Sequence, residues 1–101
     1  MKEIKKKVYL RLVAQLTHIG DIVHIKRENA PDIYKKVLTL VTADGQTLFP
    51  EIRNKKLPQL DALNLNGIVD LEYTFEGSEK NGKLYNNIYV NKISRHEKKT
   101  N

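Results

Sequence analysis

The chemically able residues of this chain are aromatic rings interleaved with cations. Tyr34 is followed by Lys36, Phe49 by Arg53, and the pair Lys80 and Lys83 by Tyr85. A ring supplies a flat apolar platform and a neighbouring lysine or arginine a fixed positive charge, which together suit a base ring carried on a phosphate backbone. Nothing comparable exists for catalysis. The phosphate loop G-x-x-x-x-G-K-[ST], the dinucleotide fingerprint G-x-G-x-x-G and the zinc helix H-E-x-x-H are all absent, and there is no cysteine. His18, His24 and His96 lack metal-ligand spacing, and Asp21 with His24 has no nucleophile to activate. Asp70, Glu72 and Glu76 recur at even spacing and could hold a cation or move a proton. As alternate residues of a strand they read instead as a solvated face that repels phosphates. The chain is therefore expected to bind rather than to catalyse, with no catalytic residue, no metal site and no cofactor.

The elements that must hold these residues come from a chain of 101 residues, 40% hydrophobic, with a net charge of +6. That length allows a single domain over residues 1–101, with a core expected at about 5–95. No apolar run nears the ~18–20 residues of a membrane span. No apolar stretch of the signal-peptide kind follows the charged start either, so neither a membrane anchor nor secretion is expected. Without cysteine there is no disulfide frame and no zinc ribbon, and a reducing, cytoplasmic setting fits. The charge is uneven. Residues 1–11 carry five basic residues against one acidic, residues 92–101 four against one, and residues 12–91 nine against ten. Short basic tails thus flank a near-neutral body, which permits a polyanionic partner without demanding one.

Alternation dominates the body. Val8, Leu10, Leu12, Ala14 and Leu16 fall on one side of an extended chain and Lys7, Tyr9, Arg11 and Gln15 on the other, with Val13 the apolar exception. A run of about ten residues is long for one strand and predicts a strand that bends to serve two sheets. Residues 17–32 read as a long connection, extended in part around Ile22–Ile25. Two hairpins follow. Tyr34–Thr42 turns at Asp44-Gly45 into Thr47–Arg53, and Val69–Glu76 turns at Asn81-Gly82 into Leu84–Ile93. Both dipeptides suit type I′ turns, which need positive φ at two successive residues. The stretch Gly77–Lys83 is long enough to project as a flexible finger loop. Between the hairpins, Leu57, Leu60 and Leu63 recur every three residues, with Pro58 near an N-terminal helical position, which predicts one short helix in a segment ended by Asn66-Gly67.

Five strands in this order, with a helix between the third and fourth, resemble an OB-fold, an all-β Greek-key barrel with one end plugged by its helix. Two stretches sharpen the resemblance. Leu63-Asn64-Leu65-Asn66-Gly67-Ile68-Val69-Asp70-Leu71-Glu72-Tyr73-Thr74-Phe75 is similar to the L-x-x-G-x-x-V-x-V-x-F start of strand four in bacterial OB domains. Asn81-Gly82-Lys83-Leu84-Tyr85-Asn86-Asn87-Ile88-Tyr89-Val90-Asn91-Lys92-Ile93 is similar to their final strand. Both features occur in single-stranded-DNA-binding proteins and in their small bacterial relatives, among which the primosomal OB proteins match best in length. The resemblance implies a dimer or tetramer. The chain departs from the pattern in having no tryptophan and in ending on Lys98-Lys99-Thr100-Asn101 where the bacterial binders carry an acidic tail.

An OB-fold presents strands two and three and its first and last loops to ligand. The resemblance therefore points to Tyr34 and Lys36 on strand two, which share a face that Lys35 does not. On strand three, if Leu48, Pro50 and Ile52 are core, Phe49 and Arg53 lie exposed together; a register shifted by one would bury Phe49 instead. Tyr34 could equally brace the barrel mouth. Lys80, Lys83 and Tyr85 sit on the finger, where OB loops clamp a strand, although lysines beside an Asn-Gly turn also serve solubility. His18, His24, Lys26 and Arg27 of the first loop, and Tyr9 with Arg11, form weaker sets, while Tyr73 and Phe75 read as core. The expected function is sequence-independent binding of single-stranded DNA, with RNA as the alternative nucleic acid, through ring stacking and Lys/Arg contacts to phosphate. The competing reading is an OB-type protein-interaction or oligomerisation module, for which Val13 and Leu65 are the candidate exposed apolar residues.

Overall fold

The computed structural model describes residues 8–97, so the lysine-rich ends lie outside the described residues. Strands β1 (Leu10–Ile19), β6 (Ile68–Lys80), β7 (Lys83–Arg95), β5 (Glu51–Arg53) and β3 (Ile33–Thr42) pair in that order, and β3 returns to pair with β1. The sheet thereby closes on itself as a barrel. Short strands β2 (Val23–Ile25) and β4 (Thr47–Leu48) add to β3. Every pairing is antiparallel except that of β5 with β7, which is parallel and aligns Glu51 with Tyr89.

The long first strand serves two partners, as its length required. Leu10–Gln15 align with β6 and Ala14–Ile19 with β3, with an irregularity between Leu16 and His18 where the strand changes direction. Its inward residues Ala14 and Leu16 meet Leu38 and Leu40 of β3, Ile52 of β5, Val69 and Leu71 of β6, and Val90 and Ile93 of β7. Each of the Val, Leu and Ile side chains among them contributes roughly 1.5–3 kcal/mol on burial. Leu60 closes the barrel end from a 3-10 helix, Asn54–Ala62, with Leu57 and Leu63 packed beside it. A 3-10 helix has three residues per turn, so leucines three apart stack on one edge. The Gln59 side chain ties this helix to β7, donating to the Asn91 carbonyl at 3.1 Å and accepting from the Ile93 N–H at 2.9 Å. It does so where the β6–β7 register slips by one residue and leaves the ladder locally unpaired.

Four expectations need correction. The third strand is not continuous over Thr47–Arg53, because Pro50 cannot donate to a ladder; it is buried, and its carbonyl accepts the Leu38 N–H at 2.9 Å. The first hairpin does not turn through two residues of positive φ. Gly45 alone has it, at 86°, and Thr42 pairs with Gln46 across a three-residue loop. The finger is no loop, since strand pairing runs out to Lys80 opposite Lys83, and the turn between them is the expected two-residue one, with Asn81 at φ 53° and Gly82 at φ 77°. Finally, Phe75 is not core. The β1–β6 pairing ends at Tyr73, which is half-buried, and Phe75 beyond it is 57% exposed and packs edge-on against the Tyr73 ring at 5.3 Å.

Candidate nucleic-acid interface

The outward face begins at β5. Leu48, Pro50 and Ile52 point into the barrel, so Phe49, Glu51 and Arg53 point out. Pairing of Lys35 with Arg53 and of Val37 with Glu51 brings Lys35 to the same side. The Glu51 carboxylate gathers both cations through one oxygen, with the Arg53 Nη2 at 2.8 Å and the Lys35 Nζ at 3.3 Å. Arg53 Nε donates to that oxygen as well, at 2.9 Å. Held in this way, the guanidinium lies over the ring of Tyr89, 4.7 Å from its centre. Tyr89 is on the floor of a cleft of about 420 Å³ whose walls include Tyr9, Thr74, Lys55 and Lys56.

From Tyr89 the same face runs up the finger. The pairs Thr74–Tyr89, Glu76–Asn87, Ser78–Tyr85 and Lys80–Lys83 succeed one another at alternate positions, so their side chains share one side of the hairpin. Tyr85 is 46% exposed and Lys80 and Lys83 are exposed at the tip. Six residues of extended chain separate Lys83 from Tyr89, about 20 Å at ~3.3 Å per residue. Phe49, 61% exposed, borders a small hollow with Asn87 beside this track. Of the residues singled out from the sequence, Phe49, Arg53, Lys80, Lys83 and Tyr85 thus lie on one continuous face.

Tyr34 and Lys36 lie elsewhere. Lys36 pairs with Ile52 on the inward side of β3 and is half-buried, across the strand from Arg53. Tyr34 stacks on His24 at 4.4 Å with the rings 9° from parallel, at the hairpin of β2 and β3. His24 Nε2 is 2.8 Å from the Asp32 carboxylate, which also accepts the Arg27 N–H at 3.3 Å. Those two contacts hold the Asp32 carboxyl below its ordinary value, the His24 hydrogen bond most strongly. The hairpin is fastened to the cleft, because the Tyr34 N–H donates to Asn54 Oδ1 at 2.9 Å and Asn54 lines the cleft wall. Arg27 is spent within its own loop, its Nε donating to the Pro31 carbonyl at 2.8 Å.

Two of the three acidic residues along β6 are answered by neighbours, while the third, Glu76, is exposed and lines the cleft. Arg11 and the Asn91 amide reach Glu72, at 3.4 Å and 3.1 Å, and His96 Nδ1 reaches Asp70 at 2.8 Å. Among the described residues no group of His, Asp and Glu could hold a metal ion, and no helix is long and apolar enough to cross a membrane. Sequence reasoning passed over Tyr89, Lys35, Lys55 and Lys56 and set Tyr9 among the weaker candidates. One signal was available: Tyr85 and Tyr89, four apart in a strand, must share a face, and Lys55-Lys56 follow Arg53 directly.

A closed barrel with this strand order, a parallel closure between its third and fifth long segments and a helix leading into the fourth is an OB-fold. The solved structures agree. The chain is similar to the second OB-fold domain of replication protein A from Methanococcus maripaludis, with a TM-score of 0.63 at 16% identity over 94% of this chain and 90% of that one. It is also similar to a small single-stranded DNA-binding protein from Streptomyces coelicolor, with a TM-score of 0.54 at 11% identity over 91% of this chain and 96% of that one. At these identities the likeness is one of fold. No protein-family model matches the chain, and no curated protein is significantly similar to it.

Proposed function

We propose that the chain is a single-domain module for single-stranded nucleic acid, DNA first and RNA as the alternative. On this reading it acts in the cytoplasm as a homo-oligomer, without cofactor and without catalysing a reaction. The observation that carries the reading is where the charge sits. The body of residues 12–91 is near neutral, yet six of its nine cations (Lys35, Arg53, Lys55, Lys56, Lys80 and Lys83) share a face or cleft with Tyr9, Phe49, Tyr85 and Tyr89. Rings at intervals along a cationic track are what a single strand needs, each stacked base contributing ~1–3 kcal/mol and the cations a salt-sensitive share. A strand on this face stays clear of Asp70 and Glu72 but passes Glu76, which lines the cleft, and Glu51, which Arg53 and Lys35 pair. The names of the two similar structures, one from replication protein A and one a single-stranded DNA-binding protein, accord with this reading.

The second reading, a protein-interaction module, is favoured by Val13, Leu65 and Ile68, which are 47%, 57% and 46% exposed at the end of the barrel away from the finger. Fluorescence anisotropy of an oligo-dT of about 30 nucleotides, at low and moderate salt, separates the two. Micromolar or tighter binding that weakens in Tyr85→Ala and Tyr89→Ala supports the track. Binding that is absent, or indifferent to both substitutions, removes it and leaves the protein-interaction reading.

A further inference from the structure

The chain carries the dipeptide Asn-Gly twice, at Asn66-Gly67 and at Asn81-Gly82. In each, a side-chain amide can react with its own backbone, because glycine has no side chain to shield the nitrogen that follows. Both asparagines are exposed and both have positive φ, 68° at Asn66 and 53° at Asn81. Sequence, exposure and backbone region therefore do not tell the two apart. What holds their backbones does.

Asn66-Gly67 is fastened to β1. The Asn66 N–H donates to the Leu16 carbonyl at 2.6 Å, and the Gly67 carbonyl accepts the Leu16 N–H at 2.9 Å. Gln15 Nε2 donates to the Asn66 carbonyl at 3.0 Å, and the Gly67 N–H donates to the Asn64 carbonyl at 3.1 Å. Moving this turn disturbs Leu16, which is fully buried in the core. The finger turn has no such ties. The Gly82 N–H has no partner among the described residues, and a side chain on Gly82 would meet nothing within 4 Å. From Phe75 to Ile88 the finger pairs only with itself, beyond the reach of β1 and β5. A two-stranded hairpin is barely stable alone, so its tip opens at little cost.

We propose that Asn81 is a site of spontaneous modification, at which the side-chain amide is lost to give aspartate and isoaspartate, while Asn66 is spared. The Gly82 nitrogen gives its proton to hydroxide and attacks Asn81 Cγ. A bond from that nitrogen to Cγ forms, the bond from Cγ to Nδ2 breaks, and Nδ2 leaves as ammonia after taking a proton from water. Water then opens the cyclic imide at one of its two carbonyls. Cleavage at Cγ leaves aspartate in the original backbone, and cleavage at the main-chain carbonyl leaves isoaspartate, with the backbone rerouted through the side chain. Either product places a negative charge between Lys80 and Lys83. Only the consequence for binding rests on the proposed function: on that reading, modification weakens the cationic tip of the track, and Asn81→Asp should bind oligo-dT about threefold more weakly at low salt.

The modification is tested without nucleic acid. The purified protein is held at mildly alkaline pH and body temperature for weeks, folded and in concentrated urea, and peptide mass spectrometry follows the amide-to-acid change at both sites. In the folded protein Asn81 should convert at least tenfold faster than Asn66, and in urea the two rates should converge, because unfolding frees the Gly67 nitrogen. Asn81 unchanged in the folded protein while the unfolded chain converts, or Asn66 keeping pace with Asn81 in the folded state, would overturn the assignment. Conversion at Asn81 combined with unchanged binding by Asn81→Asp would leave the modification standing and count against the track.

Discussion

The Arg53 guanidinium sits 4.7 Å from the centre of the Tyr89 ring while bound to the Glu51 carboxylate at 2.8 Å. One cation thus both covers an aromatic face and masks an anion on the surface where a phosphate backbone is expected to lie. Arg53→Ala should then weaken oligo-dT binding through two causes, a lost cation and an unmasked Glu51. Adding Glu51→Gln should recover part of that loss. A double-mutant cycle by anisotropy reads the coupling directly; equal affinities for the single and double variants would count against a masking role. Tyr89→Ala should cost ~1–3 kcal/mol of binding, and Tyr89→Phe much less, because stacking needs the ring rather than its hydroxyl.

Lys80 and Lys83 face one another across the finger turn, both exposed. Contacts of this kind act through counterion release, which for single strands contributes a slope of about −0.7 per phosphate neutralised in a plot of log affinity against log salt. Replacing both by alanine should flatten that slope by about 1.4 and leave binding in the lowest salt the most affected. An unchanged slope would mean that neither lysine meets the backbone.

Stability has a local test at Gly20. Its N–H donates to the Val37 carbonyl at 2.9 Å, and a Cβ on Gly20 would come within 2.8 Å of the same oxygen. Backbone on both sides leaves no flexible atom to give way, so Gly20→Ala should destabilise by about 1–3 kcal/mol in urea unfolding. Gly77, where a Cβ would meet nothing closer than 3.8 Å, should behave oppositely.

Acid should loosen the hairpin of β2 and β3 through Asp32. A carboxylate only accepts, so the His24 Nε2–H donates to it, and this contact holds the Asp32 carboxyl below its ordinary 3.8. A carboxyl lowered in the folded state contributes stability that is present above its unfolded value and is lost as pH falls through its folded one. The contribution should therefore be intact at neutral pH and fade below about pH 4. Hydrogen exchange or His24 proton shifts followed through that range should show the hairpin opening in wild type, and Asp32→Asn should remove the pH dependence.

Local signals in the sequence were reliable where chemistry acts on neighbours. Leucines three apart marked the helix and Asn81-Gly82 set the finger turn, while alternation across Leu48, Pro50 and Ile52 left two registers open, of which the structure has the one with Phe49 and Arg53 outward. What escaped was set by partners distant in the chain. The side of β3 that meets Arg53 depends on a register between residues 35 and 53, so Lys35 rather than Lys36 joins the face. Tyr89 enters the cleft only because β7 runs parallel to β5. Phe75 reads as buried by alternation alone, and its exposure follows from where β1 stops covering β6.

The parallel contact that aligns Glu51 with Tyr89 is where the ring of strands joins β5 to β7, and its two residues lie on the proposed binding face. A strand laid across that face rests on both sides of the seam. Breathing of the barrel at this point and binding of such a ligand are then linked equilibria, each disfavouring the other. Occupancy should therefore slow amide exchange first in β5 and the facing stretch of β7, ahead of the core strands, giving a footprint of the bound strand that needs no contact to be seen directly.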